Sequence, residues 1–169
     1  MNSLYIITGP AGVGKTTIAE FIAESSEKSV LIEGDLIYHQ VIGGYKAPWE
    51  DGNHLSIFWK ACEELIDVYL KDGYDVVLDY IVDVKDLNII SERFNNYRKK
   101  FAILISDEDT LIERDAKRDI SAQMQERCKV LLRNFINKDF EDKYYIDTSN
   151  MSIDEISREI MNNSKYDLL

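Results

Sequence analysis

The residues best suited to chemistry lie in one short stretch, GPAGVGKTT at positions 9–17. Gly9, Gly14, Lys15 and Thr16 satisfy the spacing G-x-x-x-x-G-K-[ST]. Each residue type has a physical reason to be there. The glycines let the backbone wrap closely around an anion with its N–H groups turned inward. A helix beginning at this point aims its positive end at the same spot. Lys15 can reach the outer phosphates of a nucleotide, and the Thr16 hydroxyl can ligate Mg²⁺. With average glycine usage near about 7%, four such fixed positions should arise by chance in fewer than roughly one chain in a hundred of this length. The expected nucleotide contacts are Gly9, Ala11, Gly12, Val13, Gly14, Lys15, Thr16 and Thr17.

Further candidates are acids at the ends of apolar runs. Asp79 closes VVLD, and an acid at the carboxyl end of a parallel strand lies in the ligand crevice, where it can hold Mg²⁺ through water. Its alternative is an ordinary strand-end aspartate capping the next segment. Asp35 follows VLIE at 30–33, just past a second predicted strand. A carboxylate there can direct the proton of a hydroxyl away from its oxygen and hold that oxygen in line for attack. Its alternative is a helix N-cap ahead of LIYHQVI. Glu33 is the rival base but points to the opposite face of the strand. Gly34 is expected to allow a sharp turn. His39, Trp49 and Tyr80, with Tyr45, either wall a pocket around Asp35 or simply pack a loop. His39 and His54 are the two histidines and stand at no metal-ligand spacing.

Basic residues cluster elsewhere. Arg114 and Arg118, four apart, share one helix face, and Arg127 follows in MQERC. Residues 114–133 carry net charge +3, whereas the rest of the chain carries −14. A basic island in an acidic protein suits a polyphosphate; its alternative is a solvated helix laced with ion pairs. Met124, Cys128, Leu131, Leu132 and Phe135 repeat as the buried stripe of a helix.

These groups must be held by regular elements. Apolar runs at 4–8, 30–33, 75–81, 101–105 and 144–148 read as short strands. Helical periodicity falls at 15–25, 54–71, 85–98, 109–138 with a break near 119–122, and 152–162, where Ser152 and Glu155 form a capping box. Alternating strands and helices imply a parallel sheet covered on both faces. One domain spanning 1–169 is expected, with no repeat, linker or low-complexity segment.

Composition narrows the function. The formal net charge of −11 argues against a nucleic-acid surface. The N-terminus has no basic region before its apolar run, so no signal peptide is expected, and no apolar run is long enough for a membrane span. Cys62 and Cys128 suit two reduced, buried cysteines in a cytoplasmic protein. A guanine-reading Asn-Lys-x-Asp is missing. The nearest match, Asn137-Lys138-Asp139-Phe140, has its aspartate one position early and follows a helix-like run.

The loop at 9–17 and the strand–helix alternation resemble the P-loop kinases of small molecules, including shikimate kinase, gluconate kinase and chloramphenicol phosphotransferase. With EGDLIYH and LIERDAKRD, the whole chain resembles small bacterial P-loop ATP-binding proteins. The resemblance implies a three-layer α/β/α sandwich with a five-stranded parallel sheet in order 2-3-1-4-5 and a short helical lid around 114–127. It implies transfer of the γ-phosphoryl of ATP, with Mg²⁺, to a hydroxyl of a small acceptor. Lys15, Asp35, Arg118 and Arg127 would be catalytic. Arg114 would stack on adenine, and Thr148 and Ser149 would flank it. Two other readings share the cradle: a polynucleotide 5′-hydroxyl or nucleoside-type kinase, and a nucleotide-binding switch without an acceptor.

Overall fold

The computed structural model describes residues 2–168 except 49, 51, 118–119 and 121–122. Trp49 and Arg118, both expected at the site, lie outside the described residues. The chain runs β1 (Ser3–Thr8), α1 (Lys15–Glu24), β2 (Ser29–Glu33), α2 (Gly34–Tyr38), α3 (Gly52–Lys71) and β3 (Asp75–Asp79). It continues as α4 (Val84–Arg93), β4 (Arg98–Ile105), α5 (Glu108–Ala116), α6 (Glu126–Ile136), β5 (Tyr145–Asp147) and α7 (Ile153–Asn162). The five strands form one parallel sheet in the order β2-β3-β1-β4-β5. This is the expected three-layer α/β/α arrangement.

Strand alternation divides the core. Leu4 and Ile6 of β1 join Val76, Leu78, Phe101 and Ile103 on one face, under Phe58, Trp59 and Cys62 of α3 and Leu87 and Ile90 of α4. Tyr5 and Ile7 join Val77, Ala102 and Leu104 on the other, under α1, α6 and α7. The period of two in the strands is what allows both faces to be covered. Cys62 and Cys128 are buried and form no disulfide, and burial pushes the Cys62 thiol up to about 12. Among the described residues, no helix is long and apolar enough to cross a membrane.

Four expectations needed correction. The helix expected over 85–98 stops at Arg93, and β4 starts at Arg98 rather than at residue 101. Polar letters hid the start of that strand, because Lys99 and Lys100 are buried. Lys100 Nζ donates to the Asn163 carbonyl at 2.9 Å and meets Asp167 at 2.8 Å, while Lys99 Nζ donates to the Ser91 carbonyl at 3.0 Å. These partners supply what desolvation removes. The strand expected to run to residue 81 ends at Asp79. The short helix α2 replaces the expected turn after β2. The capping box of Ser152 and Glu155 is present.

Candidate active site

The loop between β1 and α1 is shaped by glycine. Gly9, Gly12 and Gly14 have φ of 146°, 83° and 98°, in the region that disfavours side chains. Gly9 has a second reason, since a Cβ there would fall 2.4 Å from the Leu104 carbonyl oxygen of the neighbouring strand. Gly14 is the N-cap of α1, so Lys15 and Thr16 occupy its first turn, where the helix's first N–H groups and the positive end of its dipole converge. Lys15 Nζ donates to the Pro10 carbonyl at 3.1 Å and so arches over its own loop.

Asp79 ends β3 beside this turn. Thr16 Oγ1 donates to Asp79 Oδ2 at 2.6 Å. Burial pushes the Asp79 carboxyl above its ordinary value; Lys15 and the Thr16 hydroxyl pull it back, and Asp35 and Glu20 add to the rise. The register of β2 on β3 sets Glu33 opposite Asp79. Its carboxyl is raised by burial and then by Asp79, Glu20 and Asp35. A hydroxyl and a carboxylate make a hard oxygen donor pair. Among the described residues no group of three or more His, Cys, Asp or Glu could hold a metal. The Thr16–Asp79 pair suits Mg²⁺, which takes few protein ligands and completes its shell with phosphate oxygens and water.

A cleft of about 1220 Å³ runs from this loop along the carboxyl ends of β3 and β2. Its walls include residues 11–18, Asp35, His39, Asp79, Tyr80, Arg114 and Arg127. Arg114 bridges two loops. Its Nη1 donates to Thr148 Oγ1 at 2.9 Å and to the Val13 carbonyl at 3.3 Å, and its Nη2 donates to the Thr148 carbonyl at 3.0 Å. These in-plane bonds fix the guanidinium and leave its flat face for stacking. Thr148 is buried beneath Arg114, and its hydroxyl donates to the Ile105 carbonyl at 3.0 Å. The Ser149 hydroxyl donates to Asp147 Oδ1 at 2.6 Å and accepts from the Asp107 N–H at 2.9 Å. Thr148 and Ser149 thus build the loop and are not part of the cleft wall. Met151 and Ile153, which follow them, are. Asp115, buried, accepts from the N–H groups of Met124 and Gln125 at 2.9 and 2.7 Å and so anchors the start of α6, which carries Arg127.

The other end of the cleft is built differently. The N-cap of α2 is Glu33, and Asp35 lies within the first turn, exposed and on the cleft wall. Asp35 is therefore not the helix cap. Gly34 does not adopt a left-handed backbone. It is there for space, because a Cβ would fall 2.4 Å from Cδ2 of Tyr80. The Tyr80 ring cannot easily yield, since Phe58 lies 4.2 Å away and Trp59 5.6 Å away, centroid to centroid. His39 Nδ1 lies 2.7 Å from the Asp35 carbonyl oxygen, so Nδ1 carries the proton and Nε2 can accept from the Tyr45 hydroxyl at 3.3 Å. His54 sits in α3 away from the cleft wall.

Two acids on this wall, Asp83 and Asp86, are absent from the sequence reading. Asp83 is the N-cap of α4 and Asp86 lies three residues on. That capping spacing is visible in DYIVDVKD, but extending the strand to residue 81 obscured it. The loop leading into α4 is fastened to β1, since Thr8 Oγ1 accepts from the Val82 N–H at 3.0 Å.

With the cradle and the strand order described, the class of fold is defined: it is the P-loop small-molecule kinase fold. Three solved structures show the likeness. The tunicamycin resistance protein of Deinococcus radiodurans aligns over 95% of this chain and 94% of its own, with TM-score 0.69 and 17% identity. A sugar kinase from Janibacter aligns over 94% and 92%, with TM-score 0.69 and 14% identity. A gluconokinase from Sinorhizobium meliloti aligns over 94% and 89%, with TM-score 0.65 and 20% identity. No family model and no curated protein matches the sequence.

Proposed function

We propose that this chain transfers the γ-phosphoryl of ATP to a hydroxyl of a small molecule. The observation that carries the proposal is a single cleft joining the phosphate cradle, with Lys15 and the Thr16–Asp79 pair, to the carboxylate of Asp35. The likeness to a sugar kinase and a gluconokinase supports the reading.

In this mechanism the loop N–H groups and Lys15 bind the β- and γ-phosphates. Thr16 would hold Mg²⁺ directly and Asp79 through water; the ion, when bound, neutralises charge on the phosphate oxygens. The adenine would lie between the face of Arg114 and the apolar wall of Met151 and Ile153. Asp35 accepts the proton of the acceptor hydroxyl and orients its oxygen toward phosphorus. Arg127, or Arg118 of the same basic segment, would meet the negative charge of the transferring group. The negative rim at Asp35 disfavours a polynucleotide acceptor, whose own phosphate would sit beside the attacking hydroxyl.

The test is ADP formation by the purified protein with and without a pool of hydroxyl-bearing metabolites. Stimulation by the pool supports the phosphotransferase. Slow turnover that the pool leaves unchanged overturns it in favour of a nucleotide switch.

A further inference from the structure

Charge is divided across the cleft. The cations on its wall, Lys15, Arg114 and Arg127, belong to the phosphate loop, α5 and α6. On the opposite side, formed by α2 and the start of α4, the described wall carries Asp35, Asp83 and Asp86 and neither Lys nor Arg. Asp83 is answered from outside the cleft by the ammonium of Lys138, which also lies over the Phe135 ring. Among the described residues, Asp35 and Asp86 have no salt-bridge partner. Lys85, on the same turn as Asp86, also draws its carboxyl down, as the last of the named influences.

Asp86 is partly buried on the cleft wall, near Asp83 and the Trp59 indole. Burial raises its carboxyl above the ordinary range, against the pull of the Asp83 backbone and of the Trp59 indole. That indole N–H belongs to a side chain only 7% exposed and approaches Asp86 from the core side without completing a hydrogen bond. Tyr80 stands on the same wall, and both Asp35 and Asp86 raise its phenol further after burial has done so. Tyr80 and Tyr45 add aromatic surface to the same wall. Carboxylates without cations beside aromatic rings form a site for an ammonium group. They repel a carboxylate or phosphate.

We propose that the acceptor is a hydroxyl compound bearing a protonated amine, of the amino-alcohol or amino-sugar class, with its ammonium at Asp86 and its hydroxyl at Asp35. This rests on the phosphotransferase reading. The acceptor oxygen forms its bond to the γ-phosphorus as the bond from that phosphorus to the β,γ-bridging oxygen breaks. ADP leaves, and the hydroxyl proton passes to Asp35.

The experiment uses matched sets of aminated, neutral and carboxylated hydroxyl compounds, with glucosamine, glucose and gluconate as one set. Transfer is followed by ADP formation and product mass. Binding to the MgADP-loaded protein is measured separately by titration calorimetry. The expected result is kcat/KM at least tenfold higher for aminated than for neutral compounds, with the carboxylated ones poorest. Asp86→Asn should shrink the aminated-to-neutral ratio about tenfold, the worth of one charge-assisted contact. Transfer that favours neutral or carboxylated compounds, or a ratio unchanged in Asp86→Asn, overturns the inference while leaving the kinase standing. If no compound is phosphorylated although MgADP binds, the kinase reading fails instead. The binding arm then decides, and failure of every aminated compound to bind overturns the inference too.

Discussion

The two ends of the cleft hold their residues by different means. At the phosphate end, position is set by backbone: three glycines with positive φ, a helix start, and the buried ends of β1 and β3. Even the side chains there are tied, Thr16 to Asp79 and Arg114 to Thr148 and Val13. At the acceptor end, Asp35 and His39 are exposed on a five-residue helix and a loop, shaped by ring packing around Tyr38 and Tyr80. A polyphosphate presents the same geometry to every such protein, so a rigid backbone site suffices. An acceptor varies, and side chains on a short helix can be exchanged without disturbing the sheet. Changes at one end should therefore leave the other largely intact.

The largest effect is expected at the phosphate end. Lys15→Ala should lower ATP turnover by about 10³, the scale of losing one preorganised charge. Circular dichroism should be unchanged, because Lys15 faces the cleft. Turnover that persists would remove Lys15 from the machinery.

Gly34→Ala probes the acceptor end. The new methyl meets the Tyr80 ring wedged against Phe58. Overpacking of this kind costs about 1–3 kcal/mol. The melting temperature should fall by about 2–12 °C. Acceptor KM should rise while MgADP affinity holds, and equal losses in both would break the division between the ends.

The phosphate end was legible in the sequence because its geometry is local. Nine consecutive residues carry the glycines, the lysine and the threonine, and the alternation of strands and helices located the sheet order through resemblance. The acceptor end was read less well. Asp35 was singled out, but Gly34 was assigned to a turn, because its true constraint is Tyr80, 46 residues away at the end of the neighbouring strand. Asp86 was missed because its place on the wall depends on where β3 ends. The start of β4 was missed for a related reason: Lys99 and Lys100 look like surface residues until Ser91, Asn163 and Asp167 come to them from elsewhere in the chain.

A smaller effect is expected at Thr148. Thr148→Val keeps the shape but removes the acceptor for Arg114. Losing about 1 kcal/mol of hydrogen bonding should raise the KM for ATP about fivefold with little change in kcat. An unaltered KM would mean that Arg114 needs no such support.

The smallest effect is on the stability of the nucleotide-free protein. Asp79 and Glu33 have carboxyls raised above 3.8 and 4.5. Their contribution to stability is full below those values and is lost as pH rises through the raised ones. Between pH 4 and 7, Asp79→Asn should therefore melt relatively higher as pH rises than the parent protein does. MgADP should stabilise the parent more than the variant. A parallel pH dependence in the two proteins would show that Asp79 carries no such cost.

The most direct test measures MgATP affinity and acceptor-dependent transfer in the same Asp35→Asn protein. Asn keeps the size of the side chain but cannot take a proton. We expect unchanged nucleotide affinity and transfer reduced by about 10²–10⁴, the usual worth of a general base. Transfer at the parental rate, or loss of nucleotide affinity together with transfer, would contradict a cleft whose two ends bind and act separately.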